Sequence, residues 1–230
     1  MRLNAETIAK WQSWGTKIEN DLMDHLIHPR KIYRDFIEMA IANTVHIDKH
    51  RGGEFCGFVI DGYVAQVAMG IRKHAKNDDS ISFRVLLDEV KKCAKQFTYE
   101  YYLSLVPAQV REPYVTEKTF ALFSVDGKTV SESKVQDDID RLDEVTAKVV
   151  TLCDKYLAHL DRKGYQGKVT FDDLDECADV FNELVCKYMK LIKNSGLISL
   201  DASIGWDWKA IFRVPLDIRP VEKPKPQWLE

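Results

Sequence analysis

His159 offers the most usable chemistry in this sequence. It lies within Cys153-Asp154-Lys155-Tyr156-Leu157-Ala158-His159-Leu160-Asp161-Arg162. On a helix, Lys148, Lys155, His159 and Arg162 recur at helical spacing, and Lys155 and His159, four apart, share one face. An imidazole ionises near neutral pH, so it can take or give a proton. Neighbouring cations can hold a phosphate and stabilise the charge that develops on it. That set suits cleavage of an RNA backbone, where a 2′-hydroxyl loses a proton and a leaving oxygen gains one. A second basic cluster, Arg72-Lys73-His74 with Lys76, complements the negative end of a helix dipole, or else contacts phosphate. Taken alone, such Lys/His/Arg faces are most often simply solvated.

The other candidates are poorer. His25 and His28 close a helix, and His46 and His50 are four apart on another. Ile47, Asp48 and Lys49 between the latter pair exclude an HExxH motif, and no third ligand is evident, so no metal site is expected. Cys153 and His159 are six apart, roughly 120° around a helix, which keeps them from acting as a nucleophile–base pair. There is no GxxxxGK[ST], no GxGxxG after a strand and no GxSxG elbow, so no nucleotide cofactor or acyl-transfer serine is expected. Cofactors: none.

The elements that must position these residues read as helices almost throughout. Asn4 or Thr7 caps a first helix to about Ile27, with Ile8, Trp11, Ile18, Leu22 and Leu26 as its apolar stripe. Pro29 starts a second, to about Val45. After the Arg51-Gly52-Gly53 break, a third runs from about Glu54 to Ala75. It is apolar on most faces and so is expected at the centre. Ser80 or Ser82 caps a fourth, which ends before Pro107. Residues 107–133 read as a long irregular connection with an Asp126-Gly127 turn. A fifth helix spans about Glu132 to Lys163 and ends at Gly164; a sixth follows the Thr170 cap and stops at Gly196. Beyond Leu197, Trp206, Trp208, Ile211 and Phe212 predict an extended or short-strand segment. Residues 217–230 read as a mobile Pro-rich tail on a single domain of residues 1–216.

Composition sets the outer bounds. The chain has 230 residues, 45% hydrophobic and 30% charged, with 33 Lys plus Arg against 36 Asp plus Glu and a net charge of −3. That excludes global disorder and a general basic coat for nucleic acid, and leaves room for a local cationic pocket. The five cysteines, an odd number without a CxxC pair, read as buried thiols of a reducing compartment. The first residues lack the apolar run of a secretory signal, and no stretch reaches about 18 uncharged apolar residues, so a cytoplasmic protein without membrane contact is expected.

Three segments together resemble the HEPN superfamily, on its abortive-infection branch. They are Ile71-Arg72-Lys73 leading through Asp78-Asp79-Ser80-Ile81-Ser82-Phe83 into Val85-Leu86-Leu87-Asp88-Glu89-Val90; Asp154-Lys155-Tyr156-Leu157-Ala158-His159-Leu160-Asp161, similar to the family segment R-D-K-x-x-A-H-x-D; and Val169-Thr170-Phe171-Asp172-Asp173-Leu174. The resemblance covers roughly residues 30–215. It implies an all-α antiparallel bundle, a homodimer, and a metal-independent endoribonuclease whose composite cleft is centred on His159, with Asp154 as the motif's polar residue. Lys155, Arg162, Lys148 and Arg72 are the expected RNA contacts. The implied role is antiviral defence or toxin action, with RNA and an antitoxin or other defence protein as partners. The motif arginine falls on Cys153, and a thiol has no planar donor fork for phosphate. The alternative reading is therefore an inactive HEPN-like scaffold acting through protein contacts.

Overall fold

The computed structural model describes residues 3–50, 52–78, 80–157, 167–201 and 207–213. The fold is all-α. Its helices are α1 (Ala5–Leu22), α2 (His28–Ala42), α3 (Thr44–Lys49), α4 (Gly53–Ala75), α5 (Phe83–Cys93), α6 (Tyr99–Leu105), α7 (Pro113–Ala121), α8 (Glu132–Leu152) and α9 (Phe171–Lys193). One π turn, Met23–Ile27, joins α1 to α2, and a second, Cys153–Leu157, extends α8.

Four rods make the bundle. Along α1, Lys10 meets Glu89 of α5 at 2.8 Å, and further on Asp21 meets His74 of α4 at 2.8 Å. α5 therefore continues in the direction of α4 across the turn at residues 76–82, and α1 runs antiparallel to both. α8 also runs antiparallel to this pair: Arg84 reaches Asp143 at 2.9 Å, and Arg72 reaches Asp154 at 2.6 Å. α9 returns along α8, with Lys187 on Asp138 at 2.6 Å and Lys148 on Asp173 at 2.7 Å. The Gln12 side chain closes the ring by donating to the Ile192 carbonyl of α9 at 3.0 Å.

Apolar periodicity drives this packing. On α5, Phe83, Leu86, Leu87 and Val90 are fully buried, and each such side chain contributes about 1.5–3 kcal/mol on leaving water. Trp11, Leu22 and Leu26, then Ile139, Leu142 and Val149, then Phe181, Leu184, Val185 and Tyr188 supply the other walls. The caps fix the ends. Asn4, Ser82, Ser131 and Thr170 each accept a first-turn backbone N–H, and Thr170 and Asp173 form a reciprocal capping box. Four cysteines are buried free thiols and Cys56 is half-buried.

Several expectations change. The first two helices are nearly one rod, because Pro29 sits in the first turn of α2, where its missing N–H costs nothing. α4 is central only in its second half: Val67, Ala68 and Ile71 are buried, whereas Phe55 and Phe58 are exposed. Its first half forms a hairpin with α2, which buries only Phe36, capped by α3, which buries nothing. The fourth helix breaks at Phe97, where Thr98 caps α6 and bridges Thr129. The connection at 107–133 contains α7, started by Pro113, before the Asp126-Gly127 turn with Gly127 at φ 72°. Asn194, left-handed at φ 49°, ends α9 before Gly196. Within the C-terminal segment, the described residues Trp208–Phe212 form a 3-10 turn where an extended or short strand was expected. It sits on the hairpin through Lys209 and Asp35, 3.1 Å apart. The fifth helix beyond Leu157, Gly164, Trp206 and the 217–230 tail lie outside the described residues.

Candidate functional site

The last turn of α4 carries Arg72, Lys73 and His74, followed by Lys76. The helix splits these four between two carboxylates. Toward α8, Arg72 Nε donates to Asp154 Oδ1 at 2.6 Å, and Lys76 Nζ donates to Oδ1 and Oδ2 at 2.8 and 2.7 Å. Toward α1, Lys73 Nζ and His74 Nε2 both meet Asp21, at 2.6 and 2.8 Å.

Asp154 owes its place to the π turn that begins at Cys153. A π turn closes i to i+5, so it carries one residue more than an α turn and rotates the residues beyond it by about one position, roughly 100°. Among the described residues, the turn therefore breaks the regular helical spacing between Lys148 and Lys155. Cys153 points into the core with no exposure, and burial pushes its thiol up to about 11. At neutral pH it is a protonated core side chain, neither a nucleophile nor a phosphate donor. Asp154 stays half-exposed. The hydrogen bonds from Lys76 and then Arg72 hold its carboxyl below the usual carboxylate range. Arg72 uses Nε for this contact, and its two terminal nitrogens make no hydrogen bond among the described residues. They form a planar donor pair for a phosphate or carboxylate.

The expected site residues divide accordingly. Arg72 and Asp154 come together. Lys155 is exposed on the π turn beside exposed Tyr156. Lys148 lies elsewhere, held by Asp173 in the cleft between α8 and α9. That cleft, of about 720 Å³, is walled by Glu144, Asp172, Asp175, Glu176 and Asp179, which repel phosphate. His159 and Arg162 lie outside the described residues. Lys76, expected only as a member of the basic cluster with Arg72, joins it on Asp154 from extended backbone just past the helix end, and that partner 78 residues away was not visible in the sequence. The His46 and His50 rings lie with centroids 4.6 Å apart, tilted by 51°, and among the described residues no three His, Cys, Asp or Glu side chains are placed to hold a metal ion.

The Asp21 centre is of a different kind. His74 is 1% exposed, and its Nδ1 has no partner among the described residues. Burial lowers its pKa more than Asp21 raises it, so the ring is neutral at pH 7. Gly70 allows this contact: a Cβ there would lie 2.6 Å from Leu26 Cδ1 and 2.8 Å from His25 Cβ of the first π turn.

Compared with protein-family models, curated proteins and solved structures, the chain matches none of them.

Proposed function

We propose that this protein is an antiviral-defence or toxin-type HEPN-like protein that binds RNA at Arg72 and Lys76, both held by Asp154, with His159 as the proton-transfer group where cleavage follows. One observation carries this reading. Arg72, from a different helix, stands beside Asp154 with two guanidinium nitrogens that no described residue hydrogen-bonds. Cys153 leaves the motif segment without its own donor fork, and Arg72 supplies one across the helix contact. Asp154 then acts as a positioning residue: its Nε contact fixes the plane of the guanidinium and orients the terminal pair. Lys155, exposed nearby, extends the cationic surface.

The test measures RNA binding and degradation by the purified protein. Arg72→Gln is expected to lose binding, while His159→Ala keeps binding and loses cleavage. Binding and cleavage unchanged in both variants would sink the reading. A second reading, a non-catalytic scaffold in a defence or toxin–antitoxin assembly, draws on the buried, protonated Cys153. It predicts no RNA degradation by any form and a stable complex with a protein partner.

A further inference from the structure

α4 has the composition of a buried helix, with mean hydropathy 1.2 over its most apolar window, yet only 28% of that window is buried. Part of its uncovered length borders a groove against α2, and two recesses of about 390 and 430 Å³ lie in that groove. Their walls follow one stripe of each helix, Ile32, Phe36 and Met39 on α2 and Phe55, Val59 and Gly62 on α4. Every step is three or four residues, so the recesses stand end to end between the same two faces. Gln66 closes the far end by donating to the Asp24 carbonyl at 3.1 Å. The near end is already occupied: Phe212, in the 3-10 turn held by Lys209 on Asp35, lines the first recess with Phe36 and Phe55. Further along, Phe58 stays 73% exposed, and an added Cβ at Gly62 would meet nothing within 4 Å.

The described residues end beside this groove, at Arg213. The sequence continues with Val214, Pro215, Leu216, Asp217, Ile218 and Arg219. An extended strand sets Val214, Leu216 and Ile218 on one side. Pro215 and Pro220 each bias the residue before them to extended backbone. From Phe212 to Ile218 such a strand covers about 20 Å at about 3.3 Å per residue. The α4 stripe from Phe55 to Gln66 is about 17 Å long at about 1.5 Å per residue. Ile218 can therefore reach the second recess, and Arg219 can reach Asp24, whose carboxylate is 71% exposed with His28 3.8 Å away. We propose that residues 214–219 dock in this groove as its own cover, with Val214 in the first recess beside Phe212 and Cys56, Ile218 in the second, and Arg219 on Asp24. The tether holds the segment at a local concentration on the order of millimolar, so a small contact suffices. A separate partner has to displace it. The inference goes beyond the RNA reading and stands without it.

The full chain tests it. In a Cys56→Ser background, Gly62→Cys with Ile218→Cys is expected to close a disulfide within one chain on mild oxidation, read as a monomer on a non-reducing gel. Gly62→Cys with Lys225→Cys, on a longer tether, is expected to close at least about tenfold more slowly. With Cys56 intact, Leu216→Asp with Ile218→Asp is expected to speed modification of the half-buried Cys56 thiol by a chromogenic disulfide about tenfold, while circular dichroism stays unchanged. A cross-link found only between two chains makes a second copy the occupant and overturns the proposal. So do equal closing rates for the two cross-linking variants, or Cys56 modification that Leu216→Asp with Ile218→Asp leaves unchanged.

Discussion

Two carboxylates grip the same helix end and do different work. Asp21 takes Lys73 and His74 from one side of α4, and Asp154 takes Arg72 and Lys76 from the other. Each belongs to a rod interrupted by a π turn: Met23–Ile27 comes just after Asp21, and Cys153–Leu157 includes Asp154. The difference is solvent. At Asp21 the partner histidine is sealed in the core beneath the Gly70 contact. At Asp154 the arginine is part-exposed and keeps two donors that no described residue takes up. The same acid–base pairing is structural where water is excluded and available to a ligand where it is not.

The strongest way to break this contrast is to remove each carboxylate. Asp21→Ala strands a buried histidine nitrogen and is expected to cost about 2–3 kcal/mol in chemical denaturation. Asp154→Ala, at a half-exposed pair, is expected to cost less than about 1 kcal/mol. Equal losses would erase the distinction. Next, Gly70→Ala forces a methyl group against Leu26 and His25, and is expected to cost about 1–3 kcal/mol by overpacking while leaving the Arg72 side intact. Arg72→Ala should reverse that pattern: stability nearly unchanged, and RNA affinity down about tenfold in a filter-binding or anisotropy assay.

The smallest effect is in pH. His74 has a folded pKa below its unfolded value, so the unfolded chain takes the proton first. The stability tied to its neutral form is complete above pH about 6.5 and is lost as pH falls from there toward the lowered folded value. Asp154 is shifted down from the carboxylate range, so its contribution is present above pH about 3.8 and is lost only as pH falls below that. Denaturation midpoints between pH 7 and 5 should therefore drop in the wild type and drop less in His74→Gln. The Asp154→Asn variant should follow the wild type over that range.

The sequence disclosed what is local. The stripe Leu174, Phe181, Leu184, Val185 and Tyr188, the Thr170 cap with its acidic first turn, and the Asp126-Gly127 turn all depend on neighbours within a few residues, and the structure has them. The all-α bundle was legible from such patterns. Both π turns were hidden, since an extra residue in a helix leaves no mark on composition and is decided by what the rod packs against. α7 was hidden because Pro113 reads equally well as a breaker and as a first-turn residue. α4 misled through its apolarity, which does not say whether the covering surface is the same chain. At the candidate site, Arg72 and Asp154 were each legible as polar helix residues. Their meeting, 82 positions apart, is a property of the bundle.

Gly70 also marks the tight crossing of α4 over the first π turn. From it, α4 reaches 17 residues back to the hairpin tip at Gly53, about 25 Å of stiff rod at about 1.5 Å per residue, but only two residues forward to Arg72. A tilt of about 10° at this contact would sweep the tip through about 4 Å and scarcely displace the guanidinium.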